Sequence, residues 1–160
     1  MRESIGGAWL FGIVIVFIFF FSAFLAYSVS YTRAFNVKNE IINLIEQNEG
    51  YTTHNGDIKS ARNEDLNNST EGKIYLMIKN VGYNYSVAEN ITCDNGQLAA
   101  TGGYCIAKYC TSPSDPVSNV SYKITTFIAL EIPVINLVVK IPISGETRTL
   151  YTDHGSLPCS

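Results

Sequence analysis

Between Glu3 and Arg33 the only ionisable side chains are those of tyrosine, and within that interval Ala8 to Val29 is a run of twenty-two mostly Ile, Val, Phe, Leu and Ala residues. A helix of that length spans roughly 30 Å, the hydrocarbon thickness of a bilayer. The run is apolar all round, and the rest of the chain is too small to cover every face of it. A transmembrane helix over 8–30 is therefore expected, preceded by a short N-tail over 1–7. The run exceeds the apolar stretch of a signal peptide, and its small residues Ser22, Ala23 and Ala26 lie inside it, so a retained anchor is expected.

The pattern changes at Tyr31 without a helix breaker. Up to Gln47 there is no Gly or Pro, and Ala34, Val37, Ile41 and Leu44 recur at intervals of three and four, flanked by Phe35, Ile42 and Ile45. Polar residues fill the other face, which predicts an amphipathic helical extension over 31–48. One continuous helix from about Ser4 to Asn48 would be about 65 Å long, with Gly50 as its terminator.

Residues 49–72 are polar and turn-rich, with Asn55-Gly56 and Asn67-Asn68-Ser69-Thr70 as turn signals, and read as a linker or surface loop. Strand patterns follow over 73–160: Lys73–Lys79 with Tyr83–Val87 across a turn, Tyr104–Tyr109, Val120–Glu131, Ile135–Ile141, and Thr147–Thr152 after a Ser144-Gly145-Glu146 turn. Pro133 is expected to interrupt strand pairing. The fold class is α+β: a long N-terminal helix packed on a small antiparallel β-rich domain, with the Ala34–Ile45 stripe as its lid.

Charge and composition narrow the function. The formal net charge of −3 and scattered Lys and Arg exclude a nucleic-acid-binding face. His54 and His154 are the only histidines. No GxSxG, HExxH, Walker or GxGxxG motif is present, and Asp153-His154-Gly155-Ser156 reads as a turn in a tail. Neither an enzyme nor a cofactor is expected.

Cys93, Cys105, Cys110 and Cys159 all lie in the polar part, as suits two disulfides in an oxidising compartment; four cysteines allow three pairings, all left open here. Their spacings do not form zinc knuckles. Arg2 faces Arg33 and Lys38 across the run, with Glu40 offsetting the latter, so positive charge hardly sets the orientation. The cysteines do, placing the C-terminal domain outside the cytoplasmic membrane and the N-terminus inside.

Two acids stand out. Glu131, between Leu130 and Ile132, lies in an apolar run where a carboxylate is costly unless paired; Arg148 and Lys140 are its candidate partners, and an edge position at Pro133 is the plainer reading. Glu3 precedes the apolar run, where a carboxylate suits a helix N-terminus and a neighbouring subunit's positive group is the alternative.

A short N-tail with Glu3-Ser4, an apolar helix continuing through Tyr31-Thr32-Arg33-Ala34-Phe35, and a distal stretch punctuated by Ile132-Pro133-Val134 and Ile141-Pro142 through Thr147 together resemble the TadE/TadF-like group of tight-adherence pilus assembly proteins. The resemblance implies a pilin-like structural component that assembles through its N-terminal helix with other pilin-like subunits and a membrane platform. Gly6, Gly7 and Gly12 would then let helices approach closely, as small residues do in membranes, and Glu3, Ala34, Val37, Ile41 and Leu44 complete the candidate assembly positions. One departure matters. Glu3 precedes Gly6 and Gly7, whereas prepilin peptidase substrates place Gly ahead of Glu, so a minor, pseudopilin-like subunit is implied rather than a major pilin. A membrane-tethered binding or sensor module is the alternative.

Overall fold

The apolar run and the amphipathic stripe belong to one element: α1 extends from Arg2 to Gln47. The computed structural model describes residues 2–83, 92–93, 96–99, 102–111, 119–132 and 137–160, with side chains of 2–6, 129–132 and 137–140 left undescribed. α1 ends in a paired-carbonyl cap. Gly50 N–H donates to the Ile45 carbonyl at 3.0 Å and Glu49 N–H to that of Glu46 at 3.4 Å, the two-bond Schellman arrangement. Glu49, at φ 50°, takes the left-handed position rather than Gly50. Gly50 is needed for space: a Cβ there would meet Asp153 Oδ1 and the Gly155 backbone.

Residues 49–72, expected as a linker, are packed against the domain. Tyr51, Ile58 and Leu66 are buried, and the segment contains the short helix α2, Asn63–Leu66. The expected strand at Lys73–Lys79 is a helix instead: α3 spans Thr70–Val81. Ser69 caps it by accepting from Gly72 N–H at 3.1 Å, and Gly82 closes it in the left-handed conformation at φ 66°. These are strong helix boundaries. Ile74 and Ile78, one turn apart, face the core, while Tyr75 packs with Ile58 and Leu66 in a second cluster. The expected partner strand from Tyr83 to Val87 lies outside the described residues from Asn84 on.

The described strands form an antiparallel meander: β1 (Gln97–Leu98), β2 (Tyr104–Cys110), β3 (Val120–Ile132) and β4 (Leu137–Glu146), in that spatial order. Ser144-Gly145-Glu146, expected as a turn, lies within β4, paired with Thr125, Ile124 and Lys123. Thr147–Thr152 is not a full strand; Leu150 alone bridges Val120, through hydrogen bonds of 2.9 and 2.7 Å. Pro133 falls outside the described residues.

β3 shows the period-two pattern of a sheet with one covered face. Val120, Tyr122, Ile124, Thr126 and Ile128 are buried, while Ser121, Lys123, Thr125 and Phe127 are half-buried on the other side. Against the buried face lie Ala34, Val37, Ile41 and Ile45, each 0–1% exposed, with Leu44 half-buried at the margin. Helix and sheet thus cover each other's apolar sides, and each fully buried Val or Ile side chain among them contributes about 1.5–3 kcal/mol.

Candidate functional site

The chemistry of α1 divides at a single residue. From Gly7 to Arg33 every described side chain is exposed or half-buried, and burial in the domain begins at Ala34. The exposed portion has a window of mean hydropathy 2.7, none of it buried in the protein. Phe20 is 79% exposed and Trp9 73%. Water-soluble monomers rarely expose a contiguous apolar surface of this size. α1 is long and apolar enough to cross a membrane, and among the described residues it is the only such helix.

Aromatic residues mark both ends of that surface. Trp9 stands near the N-terminal end. Tyr27, Tyr31 and Phe35 lie one turn apart, with ring centroids at 6.3 and 6.2 Å, the second pair stacked, and the Lys38 ammonium lies 4.3 Å from the Phe35 ring. Trp and Tyr concentrate at membrane–water boundaries because each joins an apolar ring to a polar handle. Trp9 and Tyr31 are separated by about 33 Å along a helix, close to hydrocarbon thickness. Gly7 and Gly12 sit on this exposed portion with open space where a Cβ would stand; a neighbouring helix could approach closely there. The side chain of Glu3, and the surroundings of Gly6, lie outside the described residues.

The domain is held together by buried polar groups as well as by its core. Lys108 Nζ and Asp153 Oδ2 form an ion pair at 2.7 Å, with both side chains nearly inaccessible. Tyr122 donates its hydroxyl to Asp153 Oδ1 at 2.7 Å, and Gly155 N–H adds a third contact at 3.1 Å. Charges taken out of water persist only when paired and hydrogen-bonded in this way. The pair anchors the C-terminal tail, which also hydrogen-bonds from His154 N–H to Glu49 and from Ser156 N–H to Tyr51. Nearby, the Tyr51 and Tyr104 hydroxyls meet at 3.0 Å. Burial first, then the neighbouring Tyr104 and Glu71, hold the Tyr51 phenol well above its ordinary range. Burial and the Asp153 contact raise Tyr122, and burial pushes Tyr83 up to about 12 against the opposing effect of the Phe127 backbone. These groups act as internal ties between the strands, the 49–72 segment and the C-terminal tail.

The cysteines pair as Cys93–Cys105 and Cys110–Cys159. The second bridge fastens the tail where Cys159 pairs with Lys108 and Ser160 N–H donates to the Lys108 carbonyl at 2.8 Å. The first lies beside a cleft of about 230 Å³ on the outer sheet face, lined by Lys123, Thr125, Phe127 and Ser144 among others. No protein-family model matches the chain, and neither a curated protein nor a solved structure matches it. Function must therefore be argued from this geometry.

Of the expected ion pair, Arg148 Nε lies 3.4 Å from Glu46, and its backbone N–H donates to the same carboxylate at 2.8 Å. The side chains of Glu131 and Lys140 lie outside the described residues. Among the described residues no three His, Cys, Asp or Glu side chains gather where a metal ion would fit. Sequence reasoning missed the Lys108–Asp153 pair. Its only linear signal was a lysine within the otherwise apolar Tyr104–Tyr109 strand, where a buried cation needs a partner.

Proposed function

We propose that this chain is a minor pilin-like or pseudopilin-like structural subunit, held in the cytoplasmic membrane with its disulfide-bonded domain on the outer side and assembling through α1 with similar helices. The observation that carries the reading is the continuity of α1: one uninterrupted helix is both the exposed apolar segment and a wall of the domain core. A helix gripped by its own domain transmits the position of neighbouring helices in the membrane to the domain outside, as a filament or assembly-complex subunit requires. Oxidising conditions outside the membrane suit the two disulfides.

The test is cross-linking through single cysteines placed along α1 at Gly7, Gly12, Tyr31 and Phe35, with the full-length chain at native expression. Ladders of like subunits, or adducts to another helix-anchored protein, are expected. Strictly monomeric chain at every position contradicts the proposal. The outer-face cleft favours a second reading, a membrane-tethered binding module, which predicts a monomer whose ligand contacts Lys123 and Phe127.

A further inference from the structure

Two basic side chains are described on α1, and their surroundings differ. Arg33 is exposed, whereas Lys38 is only 8% exposed. The Lys38 stem lies in a slot against β4: a Cβ on Gly145 would meet Lys38 Cδ at 2.9 Å and Cε at 3.1 Å. Glycine inside a strand gives up side-chain packing and often marks the close approach of another group; here that group is the lysine stem. A cation so covered is costly without an anionic partner. Among the described residues Lys38 has none: its ammonium makes no ion pair or hydrogen bond, and lies 4.3 Å from the centre of the Phe35 ring. The ammonium is nevertheless not sealed from its surroundings, so an anion from outside the chain can reach it.

The height of that ammonium along α1 selects the anion. Trp9 and Tyr31, about 33 Å apart, put Tyr31 at the domain-side edge of the hydrocarbon. The headgroup layer occupies roughly the next 5–7 Å. Phe35 is about 6 Å beyond Tyr31, and the Lys38 Cα about 10 Å beyond it. The lysine stem runs back along the helix, as helix side chains do, and brings the ammonium to the Phe35 ring. It arrives where lipid phosphates lie. Below it the Phe35 and Tyr31 rings are exposed and stacked, with centroids 6.2 Å apart, and Tyr27 follows one turn further down. Spacings of four, four and three put Tyr27, Tyr31, Phe35 and Lys38 on one side of the helix.

We propose that Lys38 binds the phosphate of an anionic phospholipid in the leaflet next to the domain, with the Tyr31–Phe35 stack against that lipid's glycerol and upper acyl chains. The proposal rests on α1 crossing the bilayer. Lipid is the occupant, rather than free phosphate, because the rings below the ammonium continue the lipid-facing surface of α1, and an inorganic ion has no apolar part to lay against them. The charge pair also fixes how deeply α1 sits. Sliding the helix by one turn, about 5.4 Å, in either direction would carry the ammonium out of the headgroup layer.

The test is solid-state NMR on the full-length chain in phosphatidylcholine–phosphatidylglycerol bilayers, with isotopically labelled lysine ammonium nitrogens and both native disulfides checked in each variant. Dipolar dephasing of one ammonium signal by lipid phosphorus is expected, lost in Lys38→Gln and kept in Arg33→Gln, which removes a charge from the opposite side of the helix at nearly the same height. Wild-type chain with no dephased ammonium overturns the proposal, whatever the variants do. A dephased signal that survives Lys38→Gln overturns it too, and so does equal loss in Arg33→Gln, the mark of diffuse surface attraction. Equal dephasing by inorganic phosphate in maltoside micelles overturns the choice of lipid. A chain that does not float with the bilayers would instead overturn the membrane anchoring beneath the proposal.

Discussion

The two portions of α1 are alike in backbone and unlike in what surrounds them. From Gly7 to Arg33 the helix offers apolar side chains on all sides and the domain covers none of the large ones; from Ala34 to Ile45 it offers one apolar stripe, and the domain buries its centre at Ala34, Val37, Ile41 and Ile45. Apolar content alone does not separate these fates. The angular spread of the apolar positions does: a stripe can be matched by one sheet face, whereas a full cylinder requires a solvent that is itself apolar. Ile15 and Ile41 carry the same side chain in the same helix, yet one is 41% exposed and the other 0%.

The largest test of this contrast falls on the domain. Removing the Cys110–Cys159 bridge with a double Ser substitution frees a loop with a sequence separation of 49, which by chain entropy costs about 4 kcal/mol. Thermal melts in detergent should show the domain losing most of its cooperativity, while membrane association of the chain stays unchanged. If the chain leaves the membrane as the domain melts, the two portions are not independent in the way described.

The isoleucine pair sharpens the comparison next. Ile41→Ala leaves a cavity between helix and sheet and should destabilise the domain by about 2–5 kcal/mol. Ile15→Ala leaves no fixed cavity, because lipid closes around the smaller side chain, and should leave the domain melt unmoved. Equal effects at the two positions would show that the N-terminal portion is packed in protein.

A smaller effect concerns pH. The buried tyrosines are neutral in the fold and their folded values lie above the ordinary tyrosine range. Their contribution is therefore fully present below about pH 10 and is lost as pH rises through the folded value, at about 12 for Tyr83. Domain stability should fall above pH 10 by on the order of 1 kcal/mol per pH unit for each such tyrosine. Tyr83→Phe should flatten that slope while also losing the cap on Phe127; an unchanged slope refutes the assignment. The smallest effect is expected from Glu46→Gln, since Arg148 is largely exposed and such pairs contribute less than about 1 kcal/mol.

Much of this contrast was legible in the sequence. The uninterrupted helix and its change of character after Tyr31 follow from spacing, because its apolar periods are long and unbroken, and β3 from its alternation over Val120 to Ile128; β2 is a short run bounded by Gly103 and the Pro- and Ser-rich segment after Cys110. The segment Ile74-Tyr75-Leu76-Met77-Ile78 misled because five apolar residues in a row carry neither period. The deciding signals lay at its ends, where Ser69 caps and Gly82 terminates, and Ser69 read equally well as part of a turn. The packing of 49–72 was hidden because its fully buried large apolar residues, Tyr51, Ile58 and Leu66, are widely spaced, and its other buried residues include the polar Ser69, Thr70 and Glu71. Cysteine pairing and the Lys108–Asp153 contact join distant parts of the chain, and no local pattern encodes either.

The central claim is that the N-terminal portion of α1 is solvated by lipid, and flotation of the full-length chain with membranes through a density gradient after a high-salt wash tests it most directly. The account predicts that the chain rises with the lipid and is released only by detergent. A chain that stays behind as soluble, monodisperse protein without detergent would contradict it.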